Sequence, residues 1–231
     1  MSVIQDTIDW FTSATQWQGA DGIPHRVLEH LEYSGMAFAI TVAVALPAGM
    51  VLGHVRGGRF SRALAFLTLG STNAARALPT LGLLILAVIL TSGGLIPTLI
   101  PLIALAIPPV LVNTFTGIQQ VEPELRGAAE GMGLTGLQVL LRVELPVALP
   151  LILLGLRTAA IQIVSTATVA AYVGLGGLGR YIIDGLERQE YASSTGGAIL
   201  VVGLALIIQL AFTGLHRIAV SPGVRRPGNA S

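Results

Sequence analysis

Cysteine is absent from these 231 residues, aromatic side chains make up only 5% and charged ones only 11%. Without a thiol there is no disulfide, no thiolate metal site and no cysteine redox chemistry. Lysine is missing too, so all 13 basic side chains are arginine, which fits genome composition better than any special chemistry. A net charge of +1 predicts no nucleic-acid partner. His25, His30, His54 and His216 are scattered, with no pair four residues apart on one helix, so no metal centre is expected. There is no phosphate-cradling Walker loop, no Ser/His/Asp arrangement and no paired acid inside an apolar run. Those absences argue against an enzyme, a proton relay and a resident cofactor.

What the chain has is apolar sequence. Hydrophobic residues reach 53% and mean hydropathy is +0.77, outside the usual mix of a soluble domain. Residues 33 to 53, 77 to 121, 158 to 179 and 191 to 215 carry no Asp, Glu, Lys, Arg or His. Runs of that length predict membrane-spanning helices of roughly 20 residues each. Ser92-Gly93-Gly94, Pro97 and Pro101 divide the longest run at a tight turn. The expected fold is therefore all-α and polytopic, with five spans near 34 to 53, 64 to 92, 95 to 117, 146 to 171 and 193 to 215. The second is long for one straight helix and is interrupted at Arg76 and Pro79. An interfacial helix that enters the span through a proline kink fits it, and a sixth, short span is the alternative.

Charge placement orients this array. Arg56, Arg59 and Arg62 follow the first span, Arg126 and Arg142 lie before the fourth, and Arg217, Arg225 and Arg226 follow the fifth. By the positive-inside rule those segments face the cytoplasm, with the N-terminus outside and the C-terminus inside. The acids gather on the other side, as Asp6, Asp9, Asp21, Glu29 and Glu32 before the first span and Asp184, Glu187 and Glu190 before the last. The expected organisation is an extracytoplasmic segment 1–33, a transmembrane domain 34–217 and a cytoplasmic tail 218–231. No cationic leader precedes an apolar core, so no removable signal peptide is expected. Ile4, Ile8 and Phe11 at helical spacing suit an interfacial helix, with a disordered tail as the alternative.

Between the third and fourth spans lies a polar island, residues 118–145, containing Gly127-Ala-Ala-Glu-Gly-Met-Gly133 and then Val143-Glu-Leu-Pro146. Its spacing resembles the cytoplasmic loop of permease subunits in binding-protein-dependent, ATP-driven (ABC) importers of type I, written E-A-A, three residues, G, nine residues, I-x-L-P. Ala128, Ala129, Gly133, Val143, Leu145 and Pro146 fall on that grid, with Val in place of Ile. Gly127 stands where the family has Glu, and the nearby acids are Glu124 and Glu130. Small residues let a partner surface approach the helix backbone; an ordinary loop with chance alanines is the bland reading.

Further residues resemble the quaternary-amine branch of these permeases, the importers of glycine betaine, choline, carnitine or proline betaine. They are Glu29-His-Leu31, Asn73 to Thr80, Asn113-Thr-Phe-Thr-Gly-Ile118, Gly155-Leu-Arg-Thr-Ala159, Thr166-Ala-Thr168 and Gly174 to Gly179. Arg76 departs from the branch, which usually has a neutral polar residue there. The resemblance implies alternating access in the cell's inner membrane, a cytoplasmic ATPase dimer, an extracytoplasmic substrate-binding protein and a second permease subunit, identical or different. With so few aromatics for a cation-π cage, specificity is expected in the binding protein.

Along the fourth span Thr158, Gln162, Ser165, Thr166 and Tyr172 recur near helical spacing. Such a stripe suits a translocation path or hydrogen bonding between helices. Asn73, Arg76, Pro79 and Arg157 are expected in gating or structural roles, Arg157 being a charge well inside apolar sequence. Gly174-Leu-Gly-Gly-Leu-Gly179 matches a dinucleotide fingerprint in letters only, because a strand and a soluble domain are missing around it. A tight outer turn is expected. Two other readings remain open: the same architecture carrying another small solute such as an amino acid, and a secondary transporter, which would need repeats or intramembrane acids.

Overall fold

The computed structural model describes residues 2–55, 80–91 and 94–220, and among them every regular element is helical. In chain order these are α1 (Val3–Thr12), α2 (Ile23–His54), α3 (Thr80–Thr91), α4 (Leu95–Gln119), α5 (Pro123–Gly131), α6 (Gly136–Val139), α7 (Leu145–Thr166), α8 (Gly179–Glu187) and α9 (Tyr191–Ala219). Short 3-10 or π segments adjoin them at Ala14–Trp17, Leu140–Glu144 and Ala167–Val173.

Among the described residues, four stretches are long and apolar enough to cross a membrane: Ile23–His54, Leu95–Gln119, Gly136–Val173 and Tyr191–Ala219. The expected span 64 to 92 falls mostly outside the described residues, and its described end is the apolar helix α3. Two boundaries differ from the sequence reading. α2 starts at Ile23 rather than near 34, because the polar residues of its first turns are paired: Arg26 with Asp21 and Glu29, with the His25 ring beside Glu29. The fourth span is α-helical only to Thr166 and then tightens to 3-10 geometry, which moves Tyr172 off the α-helical register.

The chain divides into two compact units. The first comprises Met1–Ile40, Ala77–Leu105 and Ala160–Ile208. Within it α1 is capped by Ser2, and Trp10 packs edge-on to Tyr181 at 5.1 Å. A Cβ on Gly196 would meet the Trp10 ring, so glycine lets α1 lie against the start of α9. Tyr181 donates to the Asp21 carbonyl at 2.5 Å, and burial pushes its phenol above the ordinary value, keeping the hydroxyl neutral.

The same unit holds the glycine-rich turn. Gly174 and Gly177 have φ of 81° and 85°, a region that only glycine enters cheaply. The Glu29 carboxylate accepts from the Gly177 N–H at 2.8 Å, and the buried His30 ring bonds the Val164 carbonyl at 2.9 Å. Gly179 passes so close to the Thr168 carbonyl that no side chain fits there. The segment is thus a pinned turn between helices, and the fingerprint's letters serve backbone geometry.

The second unit comprises Thr41–Arg76, Ala106–Ala159 and Gln209–Ser231. Its core is Ile118, Leu140, Ala148 and Ile152, with Leu46, Met50, Leu145 and Leu156 packed on it. Small residues set the approach of its helices. A Cβ on Gly49 would lie 2.7 Å from that of Thr114, and one on Gly53 2.7 Å from that of Ile118. This G-x-x-x-G pair on α2 therefore receives two side chains of α4, the close packing that small residues permit inside a membrane. Gly155 does the same for α7, facing the Pro109 carbonyl and Asn113 of α4.

Candidate functional site

The polar island folds as two short helices that lead into α7. Pro123 opens α5 at a position where no hydrogen bond is lost, and the helix ends with the Leu134 N–H on the Ala129 carbonyl at 3.2 Å. Gly133, at φ 86°, makes that reversal. Thr135 and Gln138 then form a reciprocal capping box that starts α6.

The two faces of α5 differ. Arg126 and Ala129 are buried, whereas Glu124, Gly127, Ala128, Glu130 and Gly131 are exposed. A Cβ added at Gly127 or Gly131 would meet nothing within 4 Å among the described residues. Around this open, small-residue surface stand exposed apolar side chains, Leu125, Met132, Leu137 and Leu141. Of the motif's second half, Val143 and Leu145 are partly buried and Pro146 is exposed.

Beneath the loop is an ionic centre that spacing did not announce. Glu144, the variable position of Val143-Glu-Leu-Pro146, is 0% exposed. It pairs with Arg126 of α5 and, at 2.8 Å, with Nδ1 of His54 at the end of α2. His54 Nε2 also borders Gly136, and the Gln119 amide donates to the Gly53 carbonyl at 3.0 Å. The base of α2, the end of α4, the loop and the start of α7 are thereby fastened together. The expected loop acids, Glu124 and Glu130, stand outside this centre. The one sequence signal for it was an acid immediately before an apolar span, with no visible partner.

On α7, Thr158 and Ser165 are exposed and Gln162 is half-buried, so these three share one accessible face. Thr158 returns its hydroxyl to the Leu154 carbonyl at 2.8 Å. Thr166 instead lines a small cavity with Leu84, Thr98 and Pro101, and Tyr172 lies on the 3-10 segment, 58% exposed. The structure therefore brings together three residues of the expected stripe and separates the other two. Asn73, Arg76 and Pro79 lie outside the described residues. Among the described residues no group of His, Asp and Glu is arranged to hold a metal.

Comparison with known proteins agrees with this architecture. Residues 45–226 match the family described as binding-protein-dependent transport system inner membrane component. The chain is 34% identical over 201 residues to the glycine betaine/carnitine/choline transport system permease protein OpuCB of Bacillus subtilis, covering 87% of this chain and 90% of that protein. It is also 34% identical to a carnitine transport permease of Listeria monocytogenes (81% and 84% covered) and 28% identical to the osmoprotectant import permease OsmW of Salmonella typhimurium (85% and 91%). Among solved structures, an inward-facing form of the MetNI methionine ABC transporter aligns with TM-score 0.72 at 25% identity, over 86% of this chain and 96% of that one.

Proposed function

The chain belongs to the family of inner membrane components of binding-protein-dependent transport systems, and on that premise we propose that it carries a quaternary-amine osmoprotectant across the membrane by alternating access. It is a type I importer permease rather than an enzyme, and ATP is hydrolysed on a separate subunit. A binding protein and an ATPase are its general partners. In this reading the relatives' substrates, glycine betaine, carnitine or choline, carry over as a class.

The observation that supports the reading best is the two-sided loop. Its outer face offers open positions at Gly127, Ala128 and Gly131 beside exposed Leu125 and Met132, a surface that a partner helix or groove can cover. Its inner face is fixed through Arg126 and Glu144 to the bases of α2 and α7. A push on the outer face then moves the span ends as a body. The loop faces the cytoplasm, two ATPases engage a pair of permease subunits, and Thr158, Gln162 and Ser165 line the path between those subunits. Arg157, Asn73, Arg76 and Pro79 keep structural or gating roles.

The test is ATP hydrolysis and uptake in lipid vesicles by the full importer, with and without glycine betaine. Betaine should stimulate both. Gly127→Trp, at an exposed position where an added Cβ meets nothing within 4 Å among the described residues, should abolish that stimulation while leaving insertion and thermal stability unchanged. An intact complex that ignores betaine would move the cargo to another small solute, and uptake without any ATPase would overturn the importer reading.

A further inference from the structure

The second unit holds a cleft of about 380 Å³ between α7 and the last turns of α9, whose lining includes Pro150, Leu153, Arg157, Phe212, His216 and Arg217. Its walls are chiefly apolar, yet three basic side chains converge on it, and no acid among the described residues lines it. Arg157 sits roughly 16 Å along the helix from Pro146. A guanidinium on an apolar span calls for an anion, a carbonyl or water to compensate it. Yet the side chains of Arg157 and His216 form no hydrogen bond or ion pair among the described residues. The proposed function gives Arg157 only a structural or gating role and His216 none, so neither is needed to contact cargo.

We propose that this cleft binds the phosphate of an anionic phospholipid, with Arg157, His216 and Arg217 as its donors. Two arginines and a histidine ring that line one cleft without an acid suit an anion, and an arginine fork matches phosphate oxygens in pairs. The apolar walls select a lipid over a free ion. Pro150, Leu153, Leu154 and Phe212 offer a surface for an acyl chain, and α9 continues that surface with Leu210, Leu215 and Ile218, 70%, 46% and 86% exposed. His216 and Arg217 lie in the last turn of α9, at the boundary where headgroups reside, and Arg157 reaches toward them from α7. The lipid supplies the counter-charge that the protein withholds from Arg157.

The experiment is native mass spectrometry of the assembled importer after delipidation and titration with phosphatidylglycerol or, separately, phosphatidylcholine. The wild-type complex should retain phosphatidylglycerol in preference to phosphatidylcholine. Arg157→Gln combined with His216→Gln should lower that retention at least about fivefold, since one arginine near a headgroup alone contributes about a factor of five. Arg157→Lys, which keeps the charge but loses the fork, should retain phosphatidylglycerol better than Arg157→Gln, which guards against a folding defect in the double variant. Equal retention of the two lipids, or unchanged retention in the double variant, would overturn the proposal. So would stabilisation by inorganic phosphate alone with no lipid retained. The readout involves no transport, so it stands or falls separately from the choice of cargo.

Discussion

Glu144 shows what spacing hides. The loop grid assigns no identity to the position between Val143 and Leu145, and a charge count places Arg126 among the loop's cytoplasmic arginines. The fold instead buries both and joins them. Removing one member of a buried ion pair leaves the other uncompensated, which costs about 3 to 5 kcal/mol, whereas replacing both with apolar residues of similar size is far milder. Glu144→Ala should therefore lower the thermal stability of the detergent-solubilised subunit sharply, and Arg126→Met with Glu144→Met should recover much of the loss. Equal losses would mean that the two groups do not act as a pair. His54, which read as an isolated histidine at a span end, is the third member, and its contact bridges 90 residues of sequence. No local pattern could have announced it.

At the scale of elements, the apolar runs located α4, α7 and α9 well because burial in lipid demands length and continuity, both of which are written in the sequence. Boundaries were less legible. Helix α2 begins about a dozen residues earlier, on ion pairs whose partners sit in its own first turns and in the segment before it, and α7 changes geometry at Ala167 without a proline or glycine to mark the place. The loop grid was legible as a grid, but the opposed roles of its glycines were not. Gly131 lies within α5 beside open space, so Gly131→Ala should stabilise the isolated subunit by about 0.5 to 1 kcal/mol through helix propensity. Gly133 holds φ 86°, and Gly133→Ala should cost about 1 to 2 kcal/mol. Thermal melting of the two variants should thus move in opposite directions. Like signs would mean that the C-terminal reversal of α5 does not depend on Gly133.

For the whole molecule, the arginine distribution and the loop's partner surface must agree on one topology, since a docking loop is useful only on the side where ATP is. The absence of cysteine makes that agreement testable without background labelling. Met132, 75% exposed beside the loop reversal, and Leu186, 54% exposed on α8, lie in segments that the positive-inside rule assigns to opposite sides. In intact cells a membrane-impermeant maleimide should modify Leu186→Cys and spare Met132→Cys, and permeabilisation should open Met132→Cys to it. The reverse pattern would put the small-residue face of α5 outside the cell, where no ATPase could press on it. The same result would move His216 and Arg217 to the outer leaflet, so the leaflet that supplies a lipid to the basic cleft is fixed by this one topology as well.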